Sequence, residues 1–366
     1  MIRLKCHFDT IMNYIYIFKT KDEEVITETV FSLKKASSSL VHQKINSAEN
    51  PVSLITVKRT LSKLVDAGVL CISGKGRSVE YTVSTYGLIS LPIDAHVFTS
   101  IDPDNRHGHD RFNFDLFSAL PRTLFSDEEL STIEKATVYY ADQIKNISAT
   151  LHQKELERFV IELSWKSSKI EGNTYTLLDT EKLLRDGIRA PGKTKDEAQM
   201  ILNHKEAFSF VLAHRSHFKT LSRSHLEELH KIVVKGLGVR TNIRSSPVGV
   251  TGSVYKPLDN AHQIGDAIDM LSRAVNAAKD GYNKALITLL GISYIQPFED
   301  GNKRTARIMA NAMLLAHELA PLSYRSVNED TYREATLVFY EINSIIPFKK
   351  IFIEQYIFSA NNYLIG

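Results

Sequence analysis

Helical patterns run from Ser126 almost to the C-terminus and set the strongest limit on what this chain can fold into. Along these stretches, apolar residues recur at the spacing that places them on one face of a helix. One β-like segment, residues 248–255, interrupts the pattern and contains Gly249 and Gly252. The sequence therefore predicts a mainly α-helical bundle that carries one small β-hairpin. The predicted helices span residues 126–145, 154–170, 195–213, 224–234, 264–278, 283–295, 305–319 and 329–342.

The first ninety residues predict a small unit of a different kind. Three short helical patterns come first, and the third begins at Ser53 and places Val57, Leu61 and Leu64 on one face. Two β-like runs, residues 69–73 and 79–83, are joined by a turn with two glycines, which is typical of a hairpin. Three helices followed by a hairpin resemble a winged helix-turn-helix domain.

Basic residues lie at two places of this unit that are expected to face outward. Lys58 and Arg59 belong to the third helix, and Lys75 and Arg77 belong to the tip of the hairpin. Side chains of this type suit phosphate contacts beside a major groove. Double-stranded DNA is therefore one candidate partner, and a protein-docking module with a solvated basic face is the alternative.

The charge of the whole chain does not argue for a broader interaction with nucleic acid. Its 45 basic and 42 acidic residues give a formal charge of only +3. The first twenty residues include several charges, so they lack the uncharged core of a signal peptide. No run of about 18 apolar residues without a charge occurs. We expect a cytoplasmic protein that does not contact membranes.

Residues 296–301 predict a tight turn between two helices. The apolar helix before it ends at Gln296, because Pro297 disfavours helical geometry in the preceding residue. Gly301 is free to adopt a positive φ, and a second helix begins directly after it. The free N–H groups and the dipole at the start of that helix attract anions.

Two arginines and an aspartate make this turn a phosphate-binding candidate. Arg304 and Arg307 are three residues apart, so they lie on the same face of the second helix. Two guanidinium groups beside bare amides suit a polyphosphate better than a single carboxylate. Asp300 lies at the edge of the turn, where a Mg²⁺ ion that bridges phosphate oxygens needs a carboxylate.

Residues 296–307, which read QPFEDGNKRTAR, resemble the Fic motif H-P-F-x-D-G-N-G-R-x-x-R. The departures from this pattern are Gln296 and Lys303. The resemblance implies a Fic (Fido) fold and, for most members of that family, transfer of AMP from ATP to a hydroxyl side chain of a target protein. We divide the chain into a winged helix-turn-helix domain (1–90), a connecting segment with a helix (91–150), a Fic domain (151–345) and a C-terminal helix (346–366).

The resemblance also implies a role for each matching position. Asp300 would hold Mg²⁺, and Gly301 and Asn302 would bind the phosphates of ATP. Arg304 would contact the α- and β-phosphates, and Arg307 the γ-phosphate. The β-like segment matches the flap of the family, along which a target segment can add as an extra strand. The flap residues expected to bind the target are Val250, Gly252, Ser253 and Tyr255.

A second signature lies in residues 167–172, which read SSKIEG and resemble the inhibitory motif S/T-x-x-x-E-G/N. It begins at Ser167, and its glutamate is Glu171. In proteins that carry this motif, the glutamate forms an ion pair with the second arginine, here Arg307. A carboxylate at that guanidinium competes with the γ-phosphate, so the resemblance implies autoinhibition.

The two departures affect the chemistry that the resemblance implies. Gln296 replaces the histidine that removes the proton from the attacking hydroxyl, and a carboxamide cannot take up a proton near neutral pH. Loss of a positioned general base costs about 10²–10⁴-fold in rate. Lys303 replaces a glycine and gives the N-K-R sequence of Doc-type relatives, which transfer phosphate. A lysine adds a point charge beside the phosphates of the bound nucleotide.

Three hypotheses about function therefore stay open. The first is an adenylyltransferase that is autoinhibited through Glu171. The second is a degenerate member, in which ATP binding regulates a DNA-binding domain, and the third is a phosphotransferase of the Doc kind. The expected cofactors are ATP and Mg²⁺. The expected partners are an unknown target protein, double-stranded DNA and, as a homodimer, a second copy of the chain.

Overall fold

Helices dominate the computed structural model, which describes residues 12–47, 51–145 and 147–365. The mainly α-helical fold predicted from the sequence is confirmed. Parts of the predicted N-terminal unit (residues 1–11 and 48–50) and residue 366 of the predicted C-terminal helix lie outside the described residues. The helices are α1 (Lys21–Ser32), α2 (Ser38–Ile45), α3 (Leu54–Asp66), α4 (Thr85–Ser90), α5 (Ala95–Thr99), α6 (Leu116–Ala119), α7 (Asp127–Lys145), α8 (Ala149–Ile170), α9 (Leu177–Asp186), α10 (Lys195–Ala213), α11 (Arg223–Val233), α12 (Ala261–Ala277), α13 (Gly281–Ile295), α14 (Asn302–Ala316), α15 (Glu329–Ile342) and α16 (Ile346–Asn362).

The N-terminal helices α1–α3 precede two antiparallel strands, β1 (Leu70–Ser73) and β2 (Glu80–Val83). The side chain of Ser53 accepts a hydrogen bond from the Thr56 N–H at 3.1 Å and so caps α3. The buried face of α3 packs into a hydrophobic cluster that α1, α2 and β1 share, distinct from the large core of the rest of the chain. The exposed face of α3 and the tip of the hairpin are left to solvent.

Segment 91–125 joins this unit to the main helical bundle. Phe98 of α5 packs with Val338 and Ile342 of α15 in a cluster that also includes Leu88 and Leu91. This cluster fixes the connecting segment against the helix that lines one side of the site described below.

The antiparallel pair α13 and α14 forms the centre of the bundle. Every residue of α13 except Lys284 is buried, which fits its apolar sequence. At Gly291 a Cβ atom would lie 2.2 Å from Leu271 Cδ1, so the Leu271 side chain of α12 packs directly on this glycine of α13 and would have to shift for a larger residue. The turn between α13 and α14 is therefore held by a rigid, fully packed helix pair.

The flap differs from the prediction. Among the described residues β1 and β2 form the only sheet, and residues 248–255 contain a turn at Thr251–Gly252 but no strand. The predicted hairpin is wrong because the connecting segment supplies the backbone partner instead: the Lys256 N–H donates to Asp110 O at 2.9 Å. The flap is an irregular loop fastened at its end to that segment.

Across the described residues, the structure contains no helix that is long and apolar enough to cross a membrane.

Candidate functional site

The turn after α13 adopts a strained backbone. Gln296 has φ 48° and ψ 64°, a left-handed conformation that a residue other than glycine adopts only when its surroundings enforce it. The buried Arg244 provides that enforcement. Its Nε donates to Gln296 O at 2.7 Å, and its own N–H donates to Pro297 O at 3.0 Å. Sequence reasoning missed Arg244, since nothing near it in the sequence marks it as part of the turn.

The next part of the turn is shaped by Gly301 and Asn302. Gly301 has φ 78°, and a Cβ atom there would lie 2.7 Å from Val234 Cγ1. The Asn302 side chain accepts from the Phe298 N–H at 2.9 Å and donates to Phe298 O at 2.8 Å. The Asn302 amide thus holds the loop closed on itself. The first backbone hydrogen bond of α14 is donated by Thr305, which leaves the earlier N–H groups of the helix to a ligand.

Arg304 points toward this helix start. It is 2% exposed, and its Nη2 donates to Asp300 Oδ2 at 2.7 Å. Its Nη1 is buried and has no hydrogen-bond partner among the described residues. The side chain of Asp300 is 64% exposed, so a carboxylate is available at the mouth of the site while a buried donor remains unsatisfied inside it.

Arg307 is fully buried behind the inhibitory motif. Its Nε donates to Ser167 Oγ and its Nη2 to Ser167 O, both at 2.8 Å. Nη2 also lies 2.9 Å from Glu171 Oε1. The guanidinium is thus held at one edge by Ser167 and faces the Glu171 carboxylate.

His204 contacts the hydroxyl group of Ser167. Its Nδ1 lies 2.8 Å from Met200 O, so the proton belongs on Nδ1 and Nε2 is left as an acceptor. Nε2 lies 2.7 Å from Ser167 Oγ, which can donate to it while it accepts from Arg307. Burial lowers the pKa of His204 to about 3, so the ring is neutral at pH 7. His204 therefore positions Ser167 and is not a base for the reaction.

Glu171 contacts a second cation that the sequence did not predict as its partner. Lys303 Nζ lies 3.1 Å from Glu171 Oε2, opposite the oxygen that faces Arg307. Burial disfavours the charged carboxylate, but Arg307 and Lys303 outweigh it and lower the pKa of Glu171 to about 2. Glu171 is thus ionised and bridges two cations at neutral pH.

These groups border a cavity of 390 Å³ between the turn, the end of α8, the flap and α15. The turn contributes Gln296, the start of α14 contributes Lys303 and Arg304, and Glu171 follows the last residue of α8. Flap residues 248–251 form one wall. The cavity is of the size and polarity expected for a nucleotide's polyphosphate and part of its nucleoside.

The position of the family's histidine has no substitute base beside it. Gln296 is 7% exposed, and no histidine in the described part of the chain lines the cavity. Tyr340 lies next to the Gln296 side chain, but burial raises the pKa of its hydroxyl well above the ordinary value. Glu299 also lines the cavity, and its carboxylate lies 3.6 Å from Arg240 Nη1. Among the described residues, the histidine of the Fic motif therefore has no imidazole counterpart on the lining of the cavity, and carboxylates are the acceptors that line it.

The four flap residues singled out in the sequence have different environments. Val250 lines the cavity. Ser253 donates to Glu341 Oε1 at 2.6 Å, and the buried Tyr255 donates to Tyr294 O at 2.9 Å. Gly252 O accepts from Arg106 Nη1 at 2.9 Å. Of these four, Val250 lines the cavity, and the contacts of the other three fasten the flap to its neighbours. Their role in binding a target segment stays a prediction of the sequence.

The four basic residues of the N-terminal unit do not line this cavity and share one feature. All are exposed, and none forms an ion pair with another described residue. The four residues are Lys58, Arg59, Lys75 and Arg77.

No preformed metal cage accompanies the site. Within the described ranges, no group of three or more His, Cys, Asp or Glu residues is arranged to hold a metal ion. A Mg²⁺ ion that arrives with ATP does not need one, because it takes one or two carboxylates and completes its shell with phosphate oxygens and water. Asp300, exposed at the mouth of the cavity, fits that requirement.

Residues 220–314 match the family model described as "Fic/DOC family". The chain is similar to the protein adenylyltransferase fic-1 of Caenorhabditis briggsae, with 26% identity over 53% of this chain and 40% of that protein. It is also similar to the protein adenylyltransferase Fic of Nematostella vectensis, with 30% identity over 46% of this chain and 41% of that protein. The chain thus spans less than half the length of these curated relatives.

A solved structure shares the fold. It is a Fic domain-containing signalling protein from Bacteroides thetaiotaomicron VPI-5482, with a TM-score of 0.54 and 19% identity. The match covers 63% of this chain and 94% of that one. At this identity the likeness concerns the fold alone.

Proposed function

We propose, from the match of residues 220–314 to the Fic/DOC family model and from the lining of the cavity, that this protein binds Mg·ATP in the cavity and transfers AMP to a hydroxyl of a target protein. Asp300 holds the Mg²⁺ ion, and the free N–H groups at the start of α14 bind phosphate. Arg304 contacts the α- and β-phosphates and Arg307 the γ-phosphate. Glu171 inhibits the reaction by occupying Arg307. Cytoplasmic localisation and a homodimer stay predictions of the sequence.

One observation carries this proposal: two buried arginines of α14 each keep a donor unsatisfied, Arg304 at the cavity and Arg307 behind Glu171. Arg304 Nη1 and Arg307 Nη1 are both buried without a hydrogen-bond partner in the described chain. Orphaned buried donors are costly in a folded protein unless a ligand uses them. An anionic ligand in the cavity meets Arg304 directly, and it meets Arg307 once the Glu171 carboxylate has moved away.

Replacing Arg304 with alanine should weaken Mg·ATP binding by about tenfold or more, since charge-assisted hydrogen bonds are lost. The change should not unfold the protein, because the partner it abandons, Asp300, is exposed. Calorimetric titration with Mg·ATP measures the effect. Arg223→Ala is the matched control, since Arg223 is half exposed, pairs with Glu227 and does not line the cavity. Normal ATP binding by Arg304→Ala would refute the phosphate site.

Transfer is tested with the Glu171→Gly protein and ATP labelled separately at the α- and γ-phosphates. Incorporation of the α-label into protein identifies AMP transfer. Incorporation of the γ-label identifies the Doc-like phosphotransferase, which Lys303 favours. The same variant with Arg304→Ala added is the control for labelling outside the site.

The alternative function is a nucleotide-sensing regulator, and Gln296 is the observation that favours it. A site that binds ATP without a base can still change shape with nucleotide occupancy. The N-terminal unit supplies a surface to regulate, because four unpaired cations are exposed on α3 and the hairpin tip. Ile55 on α3 is 80% exposed and is the kind of apolar side chain that can contact a thymine methyl group. We propose double-stranded DNA as the ligand of this surface.

Alanine at all four basic positions should weaken duplex binding and flatten its dependence on salt. Each lost phosphate contact lowers the log–log slope by about 0.9. Fluorescence anisotropy with a labelled duplex at several salt concentrations measures both effects. No binding by the unmodified protein at low salt would favour protein docking instead. The substituted residues are Lys58, Arg59, Lys75 and Arg77, and the matched control replaces the exposed Lys135, Lys145, Lys182 and Lys195.

A further inference from the structure

Lys303 stands at a position where the Fic motif has glycine, and its contact in the folded chain is with the inhibitory glutamate. Lys303 Nζ lies 3.1 Å from one oxygen of Glu171, and Arg307 Nη2 lies 2.9 Å from the other. A carboxylate held between two cations has the geometry of a bound anion. Here the anion belongs to the chain itself.

The two cations differ in how freely they can move. Arg307 is fully buried and is fixed by two hydrogen bonds to Ser167. The Lys303 side chain is 39% exposed and, among the described residues, has Glu171 as its ion-pair partner. Because Lys303 is held only at its tip, it can turn from the carboxylate to another anion nearby without moving the helix.

The cavity brings such an anion to Lys303. Lys303, Glu171 and Arg304 all line it, whereas Arg307 lies behind Glu171. A polyphosphate bound at Arg304 therefore approaches Lys303 first and reaches Arg307 only after the carboxylate leaves. The carboxylate and the incoming phosphate compete for the same pair of cations.

We propose that Lys303 is a second cation of the terminal-phosphate site, beside Arg307, and that it binds whichever anion occupies that site, the Glu171 carboxylate or the phosphate. Lys303 therefore has two roles. It fastens Glu171 when the carboxylate occupies the site (the closed state), and it binds the terminal phosphate when the phosphate occupies it. This inference rests on the proposed ATP site and names the part of ATP that the site selects.

The two roles predict that the effect of Lys303→Met depends on Glu171. With Glu171 present, Lys303→Met removes a contact that holds the Glu171 carboxylate, which favours ATP binding. It also removes a contact with the terminal phosphate, which disfavours ATP binding, so the two effects offset each other. ATP affinity should then change by less than about threefold. In the Glu171→Gly background only the phosphate contact is lost, and ATP affinity should fall by about tenfold. ADP lacks the terminal phosphate, so its affinity in that background should not change.

Calorimetry with Mg·ATP and Mg·ADP on the full chain tests this in four variants: the unmodified protein, each single substitution and the pair. Lys169→Met is the matched control, since Lys169 pairs with Glu329, is similarly exposed and does not line the cavity. Equal weakening of ATP binding in both backgrounds would overturn the contact with Glu171. An equal effect on ADP, or none on ATP when Glu171 is absent, would overturn the phosphate contact.

Results that refute the proposed function differ from results that refute the role of Lys303. If neither the unmodified protein nor Glu171→Gly binds ATP, the nucleotide site itself is refuted, and the role of Lys303 with it. If both bind ATP and Arg304→Ala abolishes binding, the site stands, and the four variants decide the role of Lys303 alone.

Discussion

Replacing Gln296 with histidine in a chain that also carries Glu171→Gly should raise group transfer by about 10²–10⁴-fold, the contribution usual for a positioned general base. The site accepts the substitution, because histidine is among the residues that tolerate a left-handed backbone better than most. Arg244 holds the backbone of the turn through carbonyl oxygens that any side chain would leave in place. Labelled ATP and gel autoradiography measure the transfer.

The matched control is Gln296→Asn in the same Glu171→Gly background. Asparagine keeps a carboxamide and also tolerates the left-handed conformation, so it should not raise the rate. Fast transfer by protein with Gln296 intact would show that another group removes the proton. No transfer by the histidine variant, despite tight ATP binding and a test for auto-modification, would favour the regulator.

The label that appears also separates the two kinds of transfer. Incorporation from the α-phosphate means AMP transfer, and incorporation from the γ-phosphate means that ATP binds in the Doc-like orientation. Lys303 makes this distinction necessary, since it adds a cation that the family's glycine lacks.

Glu171→Gly should tighten Mg·ATP binding by about ten- to a hundredfold. The carboxylate competes for Arg307, and a charge-assisted hydrogen bond of this kind is worth about 1.5–3 kcal/mol where water is excluded. Calorimetry on the full chain measures the change. Glu329→Gln is the control, because it removes a carboxylate that pairs with Lys166 near the end of α8 but does not line the cavity. Unchanged affinity with an unchanged position of the γ-phosphate would refute inhibition by Glu171.

The inhibition should not depend on pH near neutrality. The pKa of Glu171 is about 2, below that of an ordinary glutamate, so its ion pairs stabilise the closed site above pH 4.5 and are lost only as the pH falls toward 2. The ratio of ATP affinities between Glu171→Gly and the unmodified protein should therefore be constant from about pH 6 to 8. A ratio that changes strongly in this range would mean that a different group controls the closed state.

The mainly helical fold and the place of the turn can be predicted from the amino-acid sequence alone. These features depend on residues that are neighbours in the chain. Pro297 ends the helix before it, Gly301 permits the left-handed turn, and the spacing of Arg304 and Arg307 places them on one face of α14. Local geometry of this kind is read from a few consecutive residues, so the predicted bounds of α13 and α15 agree closely with the structure.

The distant groups that meet at that turn are known only from the packing of the helices. Arg244 enforces the backbone of Gln296 from a loop, and His204 positions Ser167 from α10. The partnership of Lys303 with Glu171 joins α14 to the end of α8. Each of these contacts is set by how the helices pack, and the pattern of apolar residues along one helix does not specify its neighbour's polar side chains.

The conformation of the flap also depends on tertiary packing that the local sequence does not specify. Its sequence, with Gly249 and Gly252 among β-branched residues, favours a hairpin when it is considered alone. In the folded chain, Arg106 of the connecting segment donates a hydrogen bond to Gly252 O, and the Lys256 N–H donates one to Asp110 O in the same segment. A β-strand needs a backbone hydrogen-bond partner along its length. The packing of the connecting segment leaves the flap without such a partner strand, and the local sequence does not encode that packing.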